Sequence, residues 1–262
     1  MPDRARATIA CVDLDGRVVL VTGAARGIGA AAARELAARG ARVALVGLEP
    51  DRLRTVAAGC GEGATWHEAD VADVGALQAA VDAALAAHGR LDVVFANAGI
   101  ALHGPLHRLD VAAARRVVEV NLLGALHTAH ATVDALIATR GYLLFNASLS
   151  AALTVPGLAP YAASKAGVDA LASVLRADLR GHGVDVGVAY FSFVATDMTR
   201  GMPERVLLPL PAATDAIVRA VQGRRAVVVA PRWMRAAIPL RGLLRPVFER
   251  VPGGRRRQGR RR

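Results

Sequence analysis

Tyr161-Ala-Ala-Ser-Lys165 pairs a phenol with the single lysine among the chain's 33 lysines and arginines. In a chain so biased toward arginine, an amine here points to a site that wants a compact charge, because a guanidinium is planar and forked. On a helix the four-residue spacing brings both side chains to one face. A free tyrosine, with a pKa near 10, is a poor acid or base at neutral pH. An ammonium about 4 Å away, at an effective dielectric of about 20, favours the phenolate by about 4 kcal/mol, or about three pKa units. Such a phenol can exchange a proton with a substrate oxygen. The alternative is an accidental pair on a solvated helix, and the rest of the chain decides between them.

The elements that must position this pair begin with an apolar run at 17–22, of the kind buried in a parallel sheet. It enters Gly23-Ala-Ala-Arg26-Gly27-Ile28-Gly29 and then an alanine-rich helix to about Arg39. Glycines between a strand and a helix permit a tight turn and let the backbone approach a pyrophosphate seated on the helix N-terminus. Further strands are expected at 42–46, 64–68, 91–95, 141–145 and 184–190, alternating with helices. That alternation implies an α/β fold with a doubly wound parallel sheet, whose ligands bind at the carboxyl ends of the strands. Asp70, Asn97 and Asn146 fall at such ends, and Asn121 lies in the apolar stretch of a helix. These three asparagines are the only ones in the chain. A buried amide at Asn121 must find partners.

Composition bounds the rest. A chain of 262 residues, 53% of them hydrophobic, can bury one α/β core without a second domain. Cys11 and Cys60, the only cysteines, are too few for a disulfide framework or a thiolate metal site. His103 and His107 share helical spacing at most, so no metal is expected. The polar lead has no apolar run resembling a secretory signal, and no run of about 20 apolar residues occurs, which points to a cytoplasmic protein. The net charge of +11 owes six charges to the arginines at 255–262. The body is therefore only mildly basic, and no specific nucleic-acid partner is expected, since no aromatic platform accompanies the charge.

Taken together, Thr22-Gly-x-x-x-Gly27-x-Gly29, Asn97-Ala-Gly99, Asn121, Ser148 and Tyr161-x-x-x-Lys165, in that order and with Ser148 thirteen residues before Tyr161, resemble the short-chain dehydrogenase/reductase family. The resemblance spans roughly residues 17–198 and implies a single Rossmann-type domain of about seven parallel strands with helices on both faces. It implies NAD(P)-dependent hydride transfer between a ketone and a secondary alcohol. Tyr161 would be the general acid/base, Ser148 would polarise the substrate oxygen, and Asn121 would anchor a water in a proton relay. Lys165 would bind the nicotinamide ribose and lower the tyrosine pKa. Gly23, Arg26, Gly27, Ile28 and Gly29 would hold the pyrophosphate side, with Asp70 and Val71 at the adenine and Asn97, Ala98 and Gly99 beside the ribose. Family members usually carry Pro-Gly before a Val-x-Thr segment that holds the carboxamide. Here Phe191-Ser192-Phe193 precedes Val194 and Thr196, which keep that expected role.

At the end of the second strand Gly47 stands where an NAD-preferring acid is expected, and Arg26 is well placed for a 2′-phosphate. NADP(H) is therefore the expected cofactor, with NAD(H) the alternative through Glu49. Residues 203–252 are expected to form a substrate lid and C-terminal extension, with 253–262 a disordered arginine tail. Met202, Leu207, Leu208 and Leu210 make a lipophilic substrate the expectation. A homodimer or homotetramer is expected. The apolar residues interleaved with arginine after Pro231 either pack over the cleft or a neighbouring subunit, or lie weakly on an anionic membrane surface. A catalytically inactive nucleotide sensor or scaffold of the same fold is the alternative function. It would be marked by loss of Ser148, Tyr161 or Lys165, all of which are present.

Overall fold

Val18–Thr22 (β1) is buried at every residue, and Val93–Ala96 (β4) likewise, because helices cover both sheet faces. The other strands are Arg42–Gly47 (β2), Thr65–Glu68 (β3), Tyr142–Asn146 (β5), Asp185–Phe191 (β6) and Val227–Ala230 (β7). The computed structural model describes residues 12–153, 155–238 and 240. Cys11, residues 241–252 and the arginine tail at 253–262 lie outside the described residues. The seven strands pair in parallel in the order β3-β2-β1-β4-β5-β6-β7. Strand order reverses between β1 and β4, which opens a crevice at their carboxyl ends.

Seven α-helices connect these strands: Gly27–Ala37 (α1), Pro50–Ala58 (α2), Val74–His88 (α3), Val111–Val118 (α4), Gly124–Thr139 (α5), Ala159–Asp178 (α6) and Leu210–Gln222 (α7). One apolar core joins α1, α2 and α7 to one face of the sheet through side chains such as Leu36, Leu53 and Ile217. The other joins α3, α5 and α6 through Leu77, Leu136 and Val168. The strands expected from apolar runs occur within one or two residues of their positions. The helix expected to carry Asn121 is interrupted. A π turn, Glu119–Leu123, separates α4 from α5 and holds Asn121. Such single turns recur at functional sites.

Beneath the crevice, at the opposite end of the strands, the buried carboxylate of Asp92 ties β1 to β4. It accepts from Arg17 at 2.8 Å, from Arg90 Nε at 2.9 Å and from the Val18 N–H at 3.0 Å. Burial pushes this carboxyl up, but the hydrogen bonds from Arg90, Val18 and Arg17 outweigh it and hold it below its ordinary 3.8.

The segment read as lid and extension divides differently. Within 203–252, α7 and β7 belong to the body of the fold: Ala213, Ile217, Ala220 and Val221 are buried, and β7 is the seventh strand. Covering the crevice are instead the loop after β6, joined to Leu208 by a bridge at Val194, and the turn Arg232–Ala237. The reason is spacing: the apolar residues of 213–221 recur at helical intervals and dock on α1, as a core helix does.

Candidate active site

A cavity of about 1150 Å³ runs along the carboxyl ends of the strands. At one end lies the turn between β1 and α1. Gly23 has φ +64°, and a Cβ there would sit 2.8 Å from Ala98 Cα. A Cβ on Gly29 would meet the Gly23 carbonyl oxygen at 2.2 Å. Both positions therefore require glycine for close backbone approach. The α1 N-terminus has no side-chain cap, leaving its first N–H groups and the positive end of the helix dipole toward the cavity. Gly27 (φ +57°) faces Thr196, whose Cγ2 would be 3.5 Å from an added Cβ, so the loop after β6 closes on the glycine turn. Ile28, Val194 and Thr196 also line the cavity.

Asn97 proves to be a fastener of this end. Its Nδ2 donates to Thr22 O at 2.9 Å, its N–H donates to Thr22 Oγ1 at 3.0 Å, and its Oδ1 accepts from Asn146 Nδ2 at 2.9 Å. The tips of β1, β4 and β5 are thereby locked together. Asn146 Oδ1, buried, has no partner among the described residues. With the open cradle and the uncapped helix, it leaves polar capacity that suits a dinucleotide. The residues present fit one.

Arg26 donates to Glu49 at 3.0 Å, and Glu49 is held from its other oxygen by Arg52, also at 3.0 Å. Arg52 in turn lies 4.0 Å from Asp197 in the loop after β6. Arg52 escaped the sequence reading although it lies only one helical turn from Glu49, because its reach to Asp197 of the loop after β6 carries no local signal. Asp70 and Val71 line the cavity, with Asp70 held by the Ala72 N–H at 2.9 Å and by Arg116 of α4. Ala98 and Gly99 continue the wall toward the Tyr161 end.

There α6 presents Tyr161 and Lys165. Pro160 in its first turn pre-sets the helix start, and the four-residue spacing stacks the two side chains. Lys165 is 3% exposed, lies 5.8 Å from the Tyr161 ring centroid and donates to Asn146 O at 2.6 Å. Burial pulls its ammonium down from 10.5 to about 8. Burial also pushes the Tyr161 phenol above its ordinary 10, against the Ser148 side chain, which lowers it. The net direction is the reverse of the acidification expected from the Lys165 ammonium, since a dry site disfavours the phenolate and the ammonium alike.

Ser148 leaves β5 in extended conformation and caps the short turn Leu149–Ala151. Asn121 meets the sequence expectation of a buried amide with partners. Its Oδ1 accepts from Ile100 N at 2.8 Å, and its Nδ2 donates to Ile100 O and Ser164 Oγ, both at 3.0 Å. The amide is fully engaged in fastening the loop after β4 to α6. Beyond Ser148 the cavity wall is apolar, including Leu153, Phe193, Leu207 and Met234. Phe191 also borders the cavity but is 3% exposed and packs in the core.

Residues 17–206 match the family described as short chain dehydrogenase. The chain is 40% identical over 194 residues to cis-4-hydroxycyclohexanecarboxylate dehydrogenase of Sinomonas cyclohexanicum, covering 72% of this chain and 78% of that protein. It is 34% identical over 192 residues to mitochondrial borneol dehydrogenase of Lavandula x intermedia, covering 71% and 73%. Among solved structures, a short chain dehydrogenase/reductase from Burkholderia phymatum in complex with NAD superposes with a TM-score of 0.81 at 25% identity, over 89% of this chain and 95% of that one. An alcohol dehydrogenase from Thermococcus sibiricus complexed with 5-hydroxy-NADP gives 0.76 at 28% identity, over 81% and 94%.

Proposed function

The chain belongs to the short-chain dehydrogenase/reductase family and is a nicotinamide-dependent oxidoreductase of the alcohol/carbonyl pair, and from that premise we propose that Tyr161 is its general acid/base and that its substrate is a lipophilic, ring-bearing ketone or secondary alcohol. The observation that carries this reading is that Ser148, Tyr161 and Lys165 share one cavity with the glycine turn. When bound, a nicotinamide cofactor supplies the hydride acceptor or donor. The chain's part is orientation and proton transfer. In reduction, the Ser148 and Tyr161 hydroxyls donate to the carbonyl oxygen, where charge develops. Tyr161 then delivers its proton. Lys165, with one hydrogen held by Asn146 O, has two left for ribose hydroxyls. Asn121 holds the Lys165 helix against the loop after β4. The water-anchoring role that the resemblance assigns to Asn121 would fall to its main chain, because the amide is engaged.

NADP(H) is the preferred cofactor in this reading. Arg26 and Arg52 together can hold a 2′-phosphate in place of Glu49, whereas NAD(H) would use the Glu49 carboxylate at the ribose hydroxyl. The apolar wall supports the lipophilic part of this reading, and the names of the two relatives above support only its ring-bearing secondary alcohol. Exposed Leu123, Leu126 and Val174 support self-association as a homodimer or homotetramer. No helix among the described residues is long and apolar enough to cross a membrane. The test is turnover of a panel of cyclic and open-chain secondary alcohols and ketones with each cofactor, followed at the nicotinamide absorbance. Turnover of the cyclic members is expected. None with either cofactor would end the reading.

A further inference from the structure

We propose that Ser150 is a positioning residue that fixes the direction of the Ser148 hydroxyl, filling both acceptor positions of Ser148 Oγ so that its proton points to Tyr161 or the substrate oxygen. The inference rests on the dehydrogenase reading above and adds a residue to its machinery. Ser150 reaches Ser148 Oγ twice: its N–H donates at 3.1 Å and its hydroxyl at 2.8 Å. A serine oxygen has two lone pairs and one hydrogen. With both lone pairs taken, only the hydrogen remains to be used. Ser148 is left a donor by elimination, the role that a developing alkoxide requires. Accepting two hydrogen bonds also polarises an O–H and strengthens its donation.

The local fold makes this possible. Ser148 is extended and Ser150 lies in the 3₁₀ turn Leu149–Ala151, so the chain curls back and brings N–H and Oγ of residue 150 to the same oxygen. Ser148 shares the cavity wall with the Tyr161 phenol and lowers it. The relay is Ser150 to Ser148 to Tyr161. The other charged or titratable groups on this cavity are Lys165 on the same helix, His103 after β4, the Asp70–Arg116 pair, and Arg205 from the loop after β6. Arg26, Glu49 and Asp197 lie toward the glycine-turn end. Of these, Lys165 packs against the Tyr161 ring.

The experiment compares Ser150→Ala and Ser150→Thr with wild type in two readouts. With a turned-over alcohol, Ser150→Ala should lower kcat about fivefold, the loss of one neutral hydrogen bond. It should leave KM nearly unchanged and move the acidic limb of the pH profile upward by about half a unit. Ser150→Thr, which keeps both donors, should restore rate and profile. The second readout needs no turnover: in protein labelled with ¹³Cζ-tyrosine the chain's three tyrosines give three signals, and Tyr161→Phe assigns one. Ser150→Ala should move the Tyr161 signal and Ser150→Thr should not. An unmoved Tyr161 signal in the alanine variant, or equal defects in both variants, would overturn the proposal. Absence of turnover in wild type with a Tyr161 signal that responds as expected would instead sink the dehydrogenase reading and leave the relay standing.

Discussion

Replacing Lys165 by methionine should make the protein more stable while abolishing turnover. The ammonium is 3% exposed and has no carboxylate within salt-bridge distance among the described residues. A fall from 10.5 to about 8 corresponds to about 3 kcal/mol held against folding at neutral pH, at 1.36 kcal/mol per pKa unit. Methionine fills a similar volume without charge, but leaves Asn146 O without its donor at a cost of about 1 kcal/mol. The net gain is about 2 kcal/mol, or about 5 °C in Tm for a chain of this size. The pH dependence gives a second handle. Because the folded-state value lies below the unfolded one, the unfolded chain binds the extra proton between about pH 8 and 10.5, and stability rises with pH in that window. Wild type should therefore gain about 2 kcal/mol relative to Lys165→Met between pH 7 and 9.5, so the two unfolding curves converge. Urea unfolding at both pH values reads this directly. A variant less stable than wild type at pH 7, or a difference independent of pH, would refute the reasoning.

Tyr161→Phe should lose at least about 100-fold in kcat while cofactor affinity, by fluorescence titration, stays close to wild type. Arg26→Ala should raise the NADP Michaelis constant about tenfold with little effect on that for NAD, and Arg52→Ala should do the same if both guanidiniums hold the phosphate. A rise for NAD alone would reverse the assigned preference. Gly29→Ala should abolish cofactor binding in calorimetry or prevent folding, since its Cβ would meet the Gly23 carbonyl oxygen at 2.2 Å. Asp92→Ala should cost about 2 kcal/mol in chemical denaturation, a figure reduced from that of a fully buried pair because Arg17 and Arg90 are half-exposed. As the Asp92 pKa is depressed in the fold, its contribution should be present above about pH 4 and fade as pH falls below that.

Six of the seven strands were legible because most are short, largely apolar runs separated by helices, a pattern set within single segments. Tyr161, Lys165, Ser148 and the glycine turn were legible for the same reason: their chemistry lies in local spacing. Most of what escaped depends on segments far apart in sequence. Asn97 and Asn146 bond to each other across 49 residues, so neither could be read as a knot between strand tips. Arg52 lies 4.0 Å from Asp197 in the loop after β6, and Arg116 reaches Asp70 across 46 residues. Residues 210–230 lie past the recognised motifs, and their helical periodicity was outweighed by the prolines before them. Ser150 was overlooked because two serines separated by Leu149 carry no signal until the 3₁₀ turn folds one hydroxyl onto the other.

The π turn at Glu119–Leu123 has a mechanical meaning. It works as a phase shifter in an otherwise continuous rod from Val111 to Thr139. Each residue advances an α-helix by about 100°, so the extra residue sets which way α4 faces once α5 is seated. The α5 end is clamped, with Thr128 and Thr132 fully buried. Taking one residue out of 119–123 would regularise the hydrogen bonding yet turn α4 by about that angle. Arg116 would swing away from Asp70, and Asn121 from Ile100. The irregular turn is thus an indexing device: it keeps two faces of one rod aimed at two different parts of the cavity, and a more ideal helix would aim only one of them correctly.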